Sequence, residues 1–195
     1  MTTIKDLCKL GQKIKDTKLR RMVISTLKNP GKLSNKEFSK YNACSFEEAP
    51  ASTNFHHIYV GGLIDHTYSV TKACISIADI LEDVYKANID YDSLIAAALL
   101  HDIGKLWKLK KENDVWEDTG IKLDHTFLWT CELYARGFPE HVIHIVASHF
   151  GDNGPTPPMT IEAMILHAVD DFDAKIGTPD QDSLLQQIIT QLNQP

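Results

Sequence analysis

Six side chains of the types that bind metal ions occur at five places in this sequence. They are His66, the adjacent pair His101-Asp102, His125, His149 and Asp170. Imidazole and carboxylate ligands together suit divalent cations such as Mn, Fe, Co, Ni and Zn. Six ligands are enough for two ions that share a bridging aspartate, an arrangement that proteins use to hydrolyse phosphoesters. The pattern therefore predicts a dinuclear metal site with hydrolytic chemistry.

Helical phase separates some of these histidines from the others in the chain. His149 shares an apolar face with Val142 in the segment that follows Pro139, whereas His141 and His144 point to the opposite side. We therefore expect His149 to face inward and the other two to be solvated. By the same test, His66 lies on the inward face of its own helix.

The remaining candidates are less sharply defined by phase. His101 follows the apolar run 94–100, so it is expected to be buried, and burying an imidazole without a partner is costly. His125 stands at a helix start and Asp170 at the edge of an apolar stripe, so their orientation stays open. His167, one turn before Asp170, could be a ligand, support a ligand or face the substrate.

The apolar periodicity and the Gly, Pro and N-cap signals predict an all-α fold. One small β-ribbon or an irregular excursion is expected within 106–122, where the sequence is polar. The expected helices are one or two within 4–29, a short one at 34–41, and others at 61–85, 91–103, 125–136, 139–150, 160–175 and 180–193.

The bulk composition is that of an ordinary globular domain, with 195 residues, 43% hydrophobic and 24% charged. No apolar run approaches the length of a membrane span, and the N-terminus shows no signal core. The four cysteines are scattered, which is typical of reduced thiols and predicts a cytoplasmic protein. The net charge of −6 argues against general attraction to nucleic acid, although two metal ions would still hold a phosphate locally.

The ordered pattern H…HD…H…H…D resembles the HD superfamily of metal-dependent phosphohydrolases. It is closest to the HD domain of YhaM-type bacterial 3′-to-5′ exoribonucleases. The matching stretches lie within 54–176 and include His56-His57, His101-Asp102-Ile103-Gly104-Lys105, Pro157-Pro158-Met159 and Asp173-Ala174-Lys175. The resemblance implies an HD-domain helical bundle over 51–195, with 1–50 as a helical extension packed on it.

Carried over residue by residue, the resemblance implies that His66, His101, Asp102 and Asp170 hold one metal ion. Asp102 would bridge to a second ion, completed by His125 and His149. The expected cofactors are two divalent ions, Mn, Fe, Co or Ni, with Zn or Mg as alternatives.

Substrate contacts are implied for four further positions. Lys105 could reach a phosphate oxygen as a point charge, or it could simply be a C-terminal helix lysine favoured by the dipole. His56, His57 or His167 could protonate the leaving oxygen or bind a second phosphate. Which of them is the general acid stays open.

Three functions compete at this stage. The first is a phosphodiesterase or exonuclease acting on short single-stranded RNA, and the second is a phosphohydrolase acting on a mononucleotide or a cyclic or signalling nucleotide. The third is a non-catalytic nucleotide-binding or metal-binding module. YhaM-type enzymes carry an OB-type domain before the HD domain, and residues 1–50 are too short and too helical for one, so processive RNA degradation is not expected. No membrane partner is expected, and the amphipathic terminal helices could seal the domain or form a homo-oligomer.

Overall fold

The computed structural model of the chain describes residues 2–151, 154 and 156–178. These residues form a helical fold with one two-stranded antiparallel sheet, which confirms the predicted all-α class with a small ribbon. The elements are α1 (Ile4–Gly11), α2 (Thr17–Lys28), α3 (Gly62–Tyr85), α4 (Tyr91–Leu100), α5 (Lys105–Lys108), β1 (Leu109–Glu112), β2 (Val115–Asp118), α6 (His125–Ala135), α7 (Glu140–Ala147) and α8 (Ile161–Ile176). Within the described residues, no helix is long and apolar enough to cross a membrane.

Three predicted helices are shorter in the structure, and two of them end just before a candidate ligand. The helix expected over 91–103 ends at Leu100, and that expected over 139–150 ends at Ala147. His101 and His149 therefore lie in turns, where the backbone changes direction. The helix expected at 34–41 is only a single 3-10 turn, Lys36–Phe38. The helix predicted at 180–193 lies outside the described residues.

Helix α4 forms the centre of the fold. Every residue from Ser93 to Leu100 is buried, as expected for a helix that is apolar all round. Helices α2, α3, α7 and α8 all pack against it. Because the centre of the fold is apolar, the His101-Asp102 pair emerges from α4 in the interior of the molecule rather than at its surface.

The first two helices belong to the same hydrophobic core as the rest. Leu7, Val23 and Leu27 are fully buried together with Leu63 and Leu99. The segment that follows α2 is fastened to α6 by a buried carboxylate. The backbone N–H and the hydroxyl of Ser34 both donate to Glu132, at 2.8 and 2.9 Å. The division into an extension over 1–50 and a domain over 51–195 stays a prediction.

Gly104 explains how α6 can approach the end of α4. A Cβ atom at this position would collide with the carbonyl oxygen of His125 and would lie 2.8 Å from Cβ of Trp129. The backbone of Gly104 has ordinary helical angles, so the constraint is one of space rather than of conformation. The glycine therefore lets His125 begin its helix beside Asp102.

We predict that Gly104→Ala destabilises the fold and moves His125 away from Asp102. Overpacking of this kind typically costs about 1–3 kcal/mol, which denaturant unfolding would measure. Gly120→Ala is the control, because Gly120 has a positive φ of 87° but nothing within 4 Å of a Cβ. That variant should lose stability through strain alone and keep its metal affinity. Unchanged stability in Gly104→Ala would contradict the steric argument.

Candidate metal centre

The six predicted ligands converge from five separate elements of the fold. His66 comes from α3, the His101-Asp102 pair from the turn after α4, and the others from α6, the turn after α7, and α8. Their ligand atoms form two groups, in each of which all atoms lie within 4.8 Å of one another. The first group is His66, His101 and Asp170, and the second is Asp102, His125 and His149.

Asp102 faces both groups, with one carboxylate oxygen toward each. Its Oδ2 lies 3.3 Å from Nε2 of His66 and 3.5 Å from Nε2 of His101. Its Oδ1 lies 3.0 Å from Nε2 of His125 and 4.0 Å from Nε2 of His149. This is the arrangement expected of a carboxylate that bridges two metal ions.

Asp170 completes the first group. Its Oδ1 lies 3.0 Å from Nε2 of His66 and 3.5 Å from Nε2 of His101. Oδ2 of Asp102 lies at similar distances from the same two nitrogens, so two imidazole nitrogens and two carboxylate oxygens meet there. The position of Asp170 on its helix left the orientation of its side chain open, and in the structure this side chain faces the cluster.

Two buried atoms show that this donor set fits metal ions. Oδ1 of Asp102 and Nε2 of His125 have no hydrogen-bond partner among the described residues, although they lie only 3.0 Å apart. Leaving a buried polar atom unsatisfied costs about 1–3 kcal/mol, so proteins rarely do so without a function. A divalent cation would accept both lone pairs at once.

Hydrogen bonds outside the cluster fix three of the imidazoles in the orientation that ligation needs. Nδ1 of His66 is 2.7 Å from Oδ2 of Asp173. In His101 and His149, Nδ1 donates to the backbone carbonyl three residues earlier, at 2.9 and 2.7 Å. With the proton on Nδ1, the lone pair on Nε2 points into the cluster, which is how metal-binding histidines are usually held.

The charge states of Asp102, Asp170 and His149 also suit ligation, whereas, against the effect of burial, the three aspartates around His66 raise the pKa of its ring while no cation is bound. Burial opposes ionisation of Asp102, but Lys105 and the neighbouring imidazoles outweigh it and hold the pKa of this carboxyl well below its usual range. The pKa of Asp170 is likewise held well below its usual range, because His101 and His66 outweigh its burial. Burial lowers the pKa of His149 to about 4. At neutral pH the aspartates are therefore ionised and His149 is neutral.

Asp173 contacts the first group, although its sequence pattern predicted no role for it. It is nearly buried, and it accepts from His66 at 2.7 Å while its Oδ2 lies 3.6 Å from Nε2 of His57. The signal in the sequence is its spacing, since Asp170 and Asp173 are three residues apart and share one face of α8. Its position beside His66 holds that ring toward the metal site.

Lys105 lies against the oxygen of Asp102 that faces the first group. Its Nζ is 2.6 Å from Oδ2, and its side chain is largely buried. The ammonium group is thus held at the centre rather than extended into solvent. Contact between Lys105 and a phosphate oxygen stays a prediction.

His56 and His57 lie beside the first group. The ring of His56 is 4.8 Å from that of His66, and its Nδ1 is 3.1 Å from Nδ1 of His57. His57 has a positive φ of 44°, and its N–H donates to the carbonyl of Gly177 at 2.9 Å. Burial lowers the pKa of His56 to about 3 and also lowers that of His57, so both rings are neutral at neutral pH.

His167 lies beside the second group, where its Nδ1 donates to the carbonyl of His149 at 2.8 Å. Substrate contacts of His56, His57 and His167 stay predictions.

His141 and His144 lie outside the cluster, as their positions on the helix predicted, but they are partly buried rather than solvated. His141 is 3.3 Å from carboxylates of Asp90 and Glu162, and His144 accepts from a backbone N–H, because the approach to α8 folds over this face of α7.

Sequence comparison agrees with this geometry. The HD domain family profile matches residues 63–175, a stretch that contains all six predicted ligands. This chain belongs to the HD domain family of phosphohydrolases. This match confirms the predicted similarity to the HD superfamily, and identities of 32% with YhaM exoribonucleases confirm that to the YhaM-type branch.

Curated relatives of two kinds are similar to the chain. A dihydroneopterin 2′,3′-cyclic phosphate phosphodiesterase of Methanocaldococcus jannaschii is 49% identical over 173 residues, covering 88% of this chain and 69% of the relative. The 3′-5′ exoribonuclease YhaM of Bacillus licheniformis is 32% identical over 173 residues, covering 81% of this chain and 53% of the relative. That of Bacillus subtilis is 32% identical over 154 residues, with coverage of 73% and 48%. The chain thus spans about half the length of these exoribonucleases. No solved structure matches.

We predict that Asp102→Ala abolishes binding of both metal ions, whereas His125→Ala removes only the ion of the second group. The reason is that Asp102 offers one oxygen to each group. Elemental analysis of the purified protein with excess Mn²⁺ removed would measure the stoichiometry. His144→Ala, outside the cluster, is the control and should keep both ions. Two tightly bound ions in Asp102→Ala would refute the bridging role.

We predict that Asp173→Asn weakens metal binding by roughly 10- to 100-fold, the usual effect of removing a carboxylate that orients a ligand histidine. Competition with a chelator would measure this affinity. Asp171→Asn is the matched control, since Asp171 is exposed on the same helix and pairs with Lys175. Equal affinities of the two variants would show that Asp173 does not position His66.

Proposed function

We propose that the chain is a dinuclear metal-dependent phosphodiesterase that opens the 2′,3′-cyclic phosphate of a small nucleotide-like substrate. The bridging geometry of Asp102 carries the dinuclear part of this proposal. The identity of 49% with the dihydroneopterin 2′,3′-cyclic phosphate phosphodiesterase supports the substrate class and makes that pterin the first candidate.

The site residues have separate roles in the proposed hydrolysis: some would bind the metal ions and others would contact the phosphate or the leaving oxygen. His66, His101, Asp102 and Asp170 would hold one divalent ion, and Asp102, His125 and His149 the other. Such ions, when bound, activate a water molecule and stabilise negative charge on the phosphoryl oxygens. Lys105 adds positive charge beside Asp102, where a phosphate would lie. The neutral imidazoles of His56 and His57 could stabilise the leaving oxygen through a hydrogen bond from an N–H, rather than protonate it.

The β-ribbon favours a small substrate over RNA. Binding of single-stranded RNA rests on a basic groove with exposed aromatic side chains for stacking. Trp107, in α5 just before the ribbon, offers no such surface, because it is fully buried with its ring stacked on that of Trp129, and Trp116 of β2 is partly buried against the core. The lysines are already paired, Lys108 of α5 with Asp118 and Lys110 and Lys111 of β1 with Glu112 and Asp114, at 2.9, 2.8 and 3.1 Å.

An exoribonuclease acting on short RNA is the second candidate function, and the identity of 32% with the YhaM enzymes favours it. A non-catalytic binding module is the third, and the convergence of six predicted ligands in two adjacent groups, with Lys105 beside them, argues against it.

The finer properties of the protein are also proposals. Four histidines with two aspartates make a nitrogen-rich donor set, which favours Mn, Fe, Co or Ni, with Zn acceptable, over Mg. Cytoplasmic location rests on the four free cysteines, and formation of a homo-oligomer on the amphipathic termini.

We predict that the protein hydrolyses 2′,3′-cyclic AMP and dihydroneopterin 2′,3′-cyclic phosphate, and bis-p-nitrophenyl phosphate as a general diester. Chelation should abolish this activity and Mn²⁺ should restore it. For a substrate with one phosphate, kcat/KM should depend only weakly on salt, because few counterions are released.

A short oligoribonucleotide is the comparison substrate. Efficient cleavage of the oligoribonucleotide with a steep salt dependence, and no turnover of the cyclic phosphates, would replace this proposal with the exoribonuclease. No turnover of any diester by protein that holds two metal ions would favour the binding module.

A further inference from the structure

Phe150 is an exposed aromatic side chain that directly contacts the second group of ligands. Its ring centroid is 4.5 Å from that of His149 and 5.2 Å from that of His125. Despite these contacts, 38% of the residue is exposed. Phe150 therefore lies at the edge of the site, with one part in contact with His125 and His149 and another part exposed to solvent.

The backbone around Phe150 is held in place from several sides. The N–H of Gly151 donates to the carbonyl of Ser148 at 2.8 Å, which closes a turn around Phe150. Gly151 has a positive φ of 59°, and a Cβ atom there would collide with the ring of His167. His167 also donates from its Nδ1 to the carbonyl of His149. The ring of His167 therefore contacts the chain on both sides of Phe150, at His149 and at Gly151.

Phe150 stays partly exposed beside the two histidines of the second group. Among the described residues these are its only aromatic neighbours, of which His125 is perpendicular to its ring and His149 is tilted by 41°. A fixed, partly exposed aromatic ring is the kind of surface on which planar bases stack, and such stacking contributes about 1–3 kcal/mol per base.

We propose that Phe150 is the stacking platform for a planar ring of the substrate, a purine, a pyrimidine or a pterin. The inference rests on the proposed function. In a 2′,3′-cyclic phosphate, only a short saturated linker separates the ring from phosphorus. A phosphate beside Asp102 and a ring on Phe150 fit this spacing, because Phe150 packs on the imidazoles whose Nε2 atoms face Asp102.

Phe55 is the rival platform, on the other side of the centre. It is 54% exposed, and its ring centroid is 5.7 Å from that of His56. Among the residues that the structure describes, the ring of Phe55 neighbours no predicted metal ligand, so a substrate ring stacked there would lie farther from the phosphate. Phe150 is therefore the better placed of the two.

The test compares substrates with and without a ring. We would measure kcat and KM for 2′,3′-cyclic AMP, dihydroneopterin 2′,3′-cyclic phosphate and glycerol 1,2-cyclic phosphate, which has no ring. Phe150→Ala should lower kcat/KM for the two ring-bearing substrates by roughly 5- to 150-fold, mainly through KM. The ratio of ring-bearing to ringless activity should fall accordingly, and Phe150→Tyr should restore it.

Phe127→Ala is the matched control, since Phe127 is 45% exposed and two residues from His125 on α6, away from its face. It should leave both kinds of substrate unaffected. Equal losses for all three substrates in Phe150→Ala would show that Phe150 only supports the imidazoles and would overturn the inference. A selective loss in Phe55→Ala instead would overturn it in favour of Phe55. If no cyclic phosphate is hydrolysed by the unaltered protein, the proposed function fails as well.

Discussion

The structure depends on an ionised carboxylate buried at the centre of a helical fold. Asp102 is 2% exposed, and removing such a charge from water costs several kcal/mol unless other charges and hydrogen bonds compensate for it. Four histidines and Lys105 surround its two oxygens. This compensation is divided between two groups of side chains, so the same carboxylate is tolerated in the core and offers one oxygen to each group.

Different helices position the side chains that surround Asp102. Because α4 is apolar all round, it carries the His101-Asp102 pair into the interior, and the absence of a side chain at Gly104 lets α6 bring His125 alongside. Helix α8 contributes both Asp170, which faces the first group, and Asp173, the hydrogen-bond partner of His66, from one face of the helix. Each predicted ligand thus lies on a helix that packs in the core or in the turn that directly follows one.

Much of this arrangement could be predicted from the sequence, because helical phase reports burial. The positions of His66 and His149 on their helices predicted that both face inward, and both are buried. The ordered pattern of residues indicated the family. Phase could not decide His125 or Asp170, whose direction depends on how separate helices meet. It also missed Asp173, because the partner of that carboxylate lies 107 residues away in the sequence. For the same reason, the partners of His141 on α8 and in the loop before α4 were not foreseen.

The most direct test of the account is a crystal structure of the protein with Mn²⁺, in which anomalous scattering locates the ions. We predict two peaks, one on each side of the Asp102 carboxylate. Oδ2 should bind the ion that is also bound by His66, His101 and Asp170. Oδ1 should bind the ion that is also bound by His125 and His149. A single peak, or two peaks of which only one is bound by Asp102, would contradict the bridging role on which the proposed chemistry rests.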